Sequence, residues 1–172
     1  MKRYLILLIY IILPLISISQ DTIPTYVELD TSSLHLDYKI TEDILNEFVA
    51  NADVYGLDIE RVVSHIKHLD AIYLDHLNMD KIGVTMFISD SLSPIGMRGM
   101  IVIDYILLYE ISMFKVTIYH ELGHWFGLEH KRRGIMKDNT EDIYKILDNW
   151  EHNVKKLMKD IKKMDYSYPE LH

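Results

Sequence analysis

Cysteine is absent from all 172 residues. No disulfide can staple this chain, so it must rely on its core, and on any ion it binds, for stability. Long low-complexity tracts and internal repeats are also missing. Basic residues are the minority charge, 18 Lys and Arg against 26 Asp and Glu, for a formal net charge of −8. Residues 1–19 contribute Lys2 and Arg3 and no acid, so the remainder stands at −10. A surface of that sign repels polyanions, which argues against nucleic acid as a partner. The Lys155–Lys156 and Lys162–Lys163 pairs are a local exception, expected on the solvated face of a helix. Apolar runs long enough to span a membrane are lacking. Leu5 to Ile16 falls short of the ~20 residues required and is interrupted by Pro14, and Met100 to Tyr119 contains Asp104, Glu110 and Lys115.

What is present is enough for one domain with a real core and too little for two. Hydrophobic residues make up 49% and charged residues 26%, the balance of a globular protein. Lys2 and Arg3, the apolar stretch after them, and Ser17 and Ser19 form the pattern of a secretion signal over residues 1–19, cut before Gln20. The expected location is therefore secreted or periplasmic. The alternative is an uncleaved anchor, which would make residues 1–19 the membrane contact. Residues 20–33, with Pro24, form an extended lead-in, and 34–172 a single domain.

The chemistry concentrates between Tyr119 and Met136, in Tyr-His-Glu-Leu-Gly-His-Trp-Phe-Gly-Leu-Glu-His-Lys-Arg-Arg-Gly-Ile-Met. His120 and His124 are four apart, so a helix projects both from one face, one turn above the other. Gly127 follows where that helix should stop, because glycine enters the left-handed conformation at little steric cost. The turn can bring His130 back as a third ligand. Three protein ligands leave one tetrahedral position open, the mark of a catalytic rather than a structural zinc site. Glu121 lies beside the ion without being forced onto it. In chains of this composition the spacing arises by chance on the order of once in ten thousand.

On these residues the chain resembles the metzincin clan of zinc endopeptidases, in a matrixin-like form. The match is His120, Glu121, His124, Gly127 and His130, followed by Met136 as the methionine of the clan's Met-turn. The resemblance implies one catalytic Zn2+ held by His120, His124 and His130. It makes Glu121 the general base and Met136 an apolar floor under the imidazoles. The lack of cysteine excludes the thiol latch that keeps matrix metalloprotease precursors silent. Lys131, directly after the third histidine, assigns the chain to no one family within the clan.

Along the chain, alternation at Leu34, Leu36, Tyr38 and Ile40 predicts a first strand, and Thr41 caps a helix. Ile44, Leu45, Phe48, Val49 and Ala52 form the buried stripe of that helix, which Gly56 ends. A short helix over 58–64 and a strand through Leu69, Ile72 and Leu74 follow. His65 and His68 lack a third ligand and are expected on the surface. Ile82 to Ser89 reads as a strand and Ser91 to Gly99 as a loop. Met100 to Tyr105 reads as a central strand, apolar on both faces. The motif helix should run from Ser112 to Phe126, with Val116, Tyr119 and Phe126 towards the sheet and Gly123 permitting close approach. Trp125 is expected in core or rim packing. Asn139 should cap one continuous helix that buries Ile143, Ile146, Leu147, Trp150, Val154, Leu157, Met158 and Ile161. Tyr166 to His172 should be frayed.

The resulting class is α+β. By resemblance it is a compact metzincin-like (zincin) catalytic domain, a twisted mixed sheet with an active-site helix and a C-terminal helix. In that arrangement residues 82–89 form the edge along which an extended peptide lies antiparallel. The expected function is an exported, monomeric zinc endopeptidase acting on peptides or proteins. The alternatives are a catalytically silent zinc-binding or interaction protein on the same scaffold, and a domain whose zinc serves mainly to fold it.

Overall fold

The computed structural model describes residues 29–31, 34–36, 38–77, 81–93, 96–138 and 143–164. The expected signal segment, the Asn139 cap and the tail from Tyr166 lie outside them. Among the described residues, no helix is long and apolar enough to cross a membrane.

The first strand is shorter than the alternation at 34–40 suggests. Strand β1 is only His35–Leu36, because helix α1 (Lys39–Val54) already begins at Lys39. Tyr38 holds the N-cap position with extended backbone (φ −143°, ψ 144°) and offers no side-chain cap. Thr41 is therefore not the cap. It is buried inside the first turn, and its hydroxyl finds no partner among the described residues. The helical period, continued back to Ile40, outweighs two alternations of strand pattern. The stripe Ile44, Leu45, Phe48, Val49 and Ala52 is buried as expected. Gly56, at φ 71°, ends α1 as its N–H bonds Asp53 O (2.8 Å) and Leu57 N bonds Ala52 O (2.9 Å). Of the lead-in, Leu29 docks on this helix, buried, with its N–H on Asn46 Oδ1 at 2.7 Å.

Helix α2 (Ile59–Ile66) is capped by Asp58, whose carboxylate accepts from Arg61 N at 3.1 Å. Strands β2 (Leu69–Asp75), β3 (Gly83–Ser89) and β4 (Met97–Asp104) complete a four-stranded sheet of order β1-β2-β4-β3. β1, β2 and β4 run parallel and β3 is antiparallel to β4. The strand predicted to be central is so, and 83–89 lies at the edge. β4 starts at Met97 rather than Met100, because the Asp90–Gly96 connection closes as a hairpin with Asp90 N on Gly96 O at 3.2 Å.

Asp104 caps a 3-10 turn (Tyr105–Tyr109), which feeds helix α3 (Ile111–Trp125) through the middle of the molecule. Its sheet-facing stripe is Thr117, Glu121 and Trp125, each one turn apart. A Cβ on Gly83 would strike Thr117 and Glu121, and Trp125 stacks on Phe87 with ring centroids 5.6 Å apart. Trp125 is core, as expected. Tyr119 and Phe126 face the other way. Tyr119 meets Phe48 at 5.2 Å and Trp150 at 4.8 Å, while Phe126 stacks on Phe48 and His65. The expectation that both face the sheet fails because α1 and the C-terminal helices cover that side of α3.

The continuous last helix is divided into α4 (Ile143–Asp148) and α5 (Trp150–Lys163). Asn149 stands at the break. Asn153 Nδ2 reaches back to Ile146 O (3.1 Å) and Asn149 O (3.0 Å), satisfying carbonyls near it. Ile143, Ile146, Val154, Leu157, Met158 and Ile161 are buried, with Leu147 and Trp150 partly so. The observed class is α+β with a mixed four-stranded sheet.

Candidate metal centre

Helix α3 presents His120 and His124 one turn apart near its C-terminal end. The helix closes when Gly127 N bonds His124 O (2.8 Å) and Leu128 N bonds Gly123 O (2.9 Å), with Gly127 at φ 84°. That left-handed residue reverses the chain and brings His130 over the helix. The Nε2 atoms of His120 and His124 are 3.0 Å apart; His130 Nε2 lies 3.2 Å from the first and 3.0 Å from the second.

The outer ring nitrogens explain which atoms point inward. His120 Nδ1 lies 2.7 Å from Ile135 O and His124 Nδ1 lies 2.8 Å from Leu128 O. Carbonyl oxygens only accept, so each Nδ1 carries the proton and each Nε2 keeps its lone pair. His130 Nδ1 pairs with Asp138 Oδ1 at 3.4 Å. Three lone pairs directed at one point repel each other unless a cation lies between them. Tetrahedral bonds of about 2.0–2.1 Å to zinc put donor nitrogens roughly 3.3 Å apart, close to the spacing found. The residues present therefore fit a metal ion, and the three histidines form a group that could hold one. Burial lowers the His120 pKa to about 4, which keeps that imidazole neutral and available as a donor near pH 7.

Met136, in the loop after His130, is buried against the same helix. Its Sδ lies where a Cβ on Gly123 would sit, so the close approach expected of Gly123 is made by the Met136 side chain. Lys131 N to Met136 O (2.7 Å) and Lys137 N to Gly134 O (3.0 Å) fold the loop back, placing the Ile135 carbonyl on His120.

Glu121, adjacent to the first histidine, is 4% exposed. Its Oε2 accepts from Thr85 Oγ1 at 2.7 Å, and the same hydroxyl lies 2.9 Å from the Glu121 carbonyl. From protein groups alone, burial pushes this carboxyl up to about 7, against the opposing Thr85 hydrogen bond. A dication nearby would draw it down again. Thr85 carried no signal in the sequence. It is 36 residues from its partner and sits among the apolar residues of a strand.

Glu121 and the histidines open on a cleft of about 490 Å3. Gly83, Val84, Thr85 and Phe87 of β3 line one side, and Ile135, Ile143 and Ile146 the other. His65 and His68 take no part. His65 is not a surface residue: it is buried, its Nε2 is 3.1 Å from Trp125 O, and Trp125 Nε1 donates to His65 O at 3.0 Å. The exchange locks α2 to the end of α3. His68 is half-buried.

The fold and site thus define an α+β domain with a three-histidine group that could hold a metal ion. No family model, no curated protein and no solved structure matches this chain.

Proposed function

We propose that the protein is an exported zinc endopeptidase of the metzincin type, holding one Zn2+ through His120, His124 and His130. The observation that carries this reading is the convergence of three imidazole Nε2 atoms within 3.2 Å of one another, beside a buried carboxylate in one cleft. Zinc, when bound there, supplies a Lewis acid that acidifies water and polarises a carbonyl.

Glu121 takes the proton of the attacking water and delivers it to the departing amide nitrogen. Thr85 holds that carboxylate by one oxygen, leaving the other for the proton. Strand β3, at the sheet edge, offers backbone groups to an extended peptide, and backbone pairing tolerates many sequences. Ile135, Ile143 and Ile146 provide an apolar wall opposite it.

The test is cleavage of a peptide library by the purified full chain, with and without chelator. Cleavage should be lost on chelation and restored by zinc. Glu121→Gln should retain zinc while turnover falls about 10²- to 10⁴-fold. Zinc retention by a parent protein that cuts nothing would favour the silent binding protein instead.

A further inference from the structure

Positive charge in this acidic chain is gathered in one place. Residues 131–163 hold ten of the 18 Lys and Arg and only six of the 26 Asp and Glu. Within that stretch is a second cavity of about 350 Å3, between the loop after His130 and the α4–α5 break. Arg132, Arg133, Lys137, Lys145 and His152 line it, with no Asp or Glu among the described lining residues. Lys156 adds to the rim, its Nζ 3.5 Å from Arg133 O. Two acids near it are paired with other groups, Asp160 with Lys131 (2.6 Å) and Lys163 (3.4 Å), and Asp138 with His130. A solvated helix face accounts for Lys156 but not for Arg132, Arg133 and Lys137 of a loop meeting Lys145 of α4 around one cavity.

This cavity adjoins the metal cleft, since Lys137 and Ile146 line both. We propose that it is an acidic-residue subsite, receiving Asp or Glu side chains of the same peptide that occupies the cleft. The inference rests on the peptidase reading of that cleft. Arg132 and Arg133 are exposed, and guanidinium forks match carboxylates in shape as well as charge. A long polyanion such as nucleic acid would extend onto the remaining surface, where acids outnumber bases, whereas a short acidic segment would not.

The experiment compares a labelled peptide carrying Asp and Glu with its Asn and Gln counterpart. Binding is read by fluorescence anisotropy on the full-length Glu121→Gln protein, and kcat/KM on the unmodified one. The acidic peptide should bind about tenfold more tightly. That preference should vanish in Arg132→Glu/Arg133→Glu, and on the protein without those changes it should vanish at about 0.5 M salt. Equal binding of the two peptides overturns the proposal, as does a preference that survives charge reversal or an oligonucleotide that binds more tightly than the acidic peptide. Cleavage without preference removes the subsite and leaves the peptidase. Charge-dependent binding without cleavage supports the subsite and removes the peptidase.

Discussion

Glu121 is placed at a cost. Its folded carboxyl, raised by burial to about 7 against an ordinary 4.5, holds a proton more tightly than the unfolded chain does. In metal-depleted protein its contribution is fully present below about pH 4.5 and lost as pH rises through about 7. Glu121→Gln removes that loss. Metal-depleted Glu121→Gln should therefore be the more stable protein at pH 8, by roughly 3 kcal/mol at most, with the gap closing by pH 4.5. Denaturant unfolding across that range reads it directly, and a gap that widens towards acid would contradict the burial account. In the proposed peptidase, Thr85 acts through its hydrogen bond to Glu121 as a positioning residue. Thr85→Val should lower kcat about tenfold with little change in KM and shift the acid limb of the rate profile upward, since the lost hydrogen bond favoured the ionised carboxylate. Thr85→Ser should restore both. A KM effect alone would reduce Thr85 to a wall of the cleft.

At the scale of elements, the site depends on how closely the loop 131–137 packs onto α3. Gly123 makes that approach possible, because any Cβ there would occupy the space of Met136 Sδ and lie 3.0 Å from its Cε. Gly123→Ala should cost about 1–3 kcal/mol and lower Tm by several degrees. The same displacement pulls the Ile135 carbonyl from His120 Nδ1, so zinc affinity should fall with stability. Calorimetry and zinc titration on one preparation separate these effects, and unchanged affinity would mean that Met136 moves without the loop. The helix break at Asn149 also matters at this scale. It separates α4, whose Ile143 and Ile146 line the cleft, from α5, whose Val154, Leu157, Met158 and Ile161 are buried in the core.

For the molecule as a whole, two of the three candidate ligands belong to α3 and the third to a loop that no disulfide restrains. An ion bridging them would tie the loop to the core, and a ligand that binds only the folded state raises Tm by mass action. Zinc should raise the Tm of the parent, and the rise should shrink in His130→Ala, whose metal should also be lost on dialysis. Equal retention by parent and variant would place the third ligand elsewhere.

Short-range information was enough for much of this. The i, i+4 histidines, the glycine that ends their helix and the buried stripe of α1 each depend on helical period or on one residue's backbone freedom, so they can be read locally. The α+β class followed from the order of such elements, and the edge position of 82–89 was implied only by the resemblance. Contacts between distant segments could not be read in that way. Thr85 on Glu121, Tyr119 turned towards α1, His65 buried against Trp125 and the cationic cavity shared by a loop and two helices depend on which surfaces meet. Packing decides that, because a side chain's neighbours are chosen by the whole core and its period says only which face it lies on.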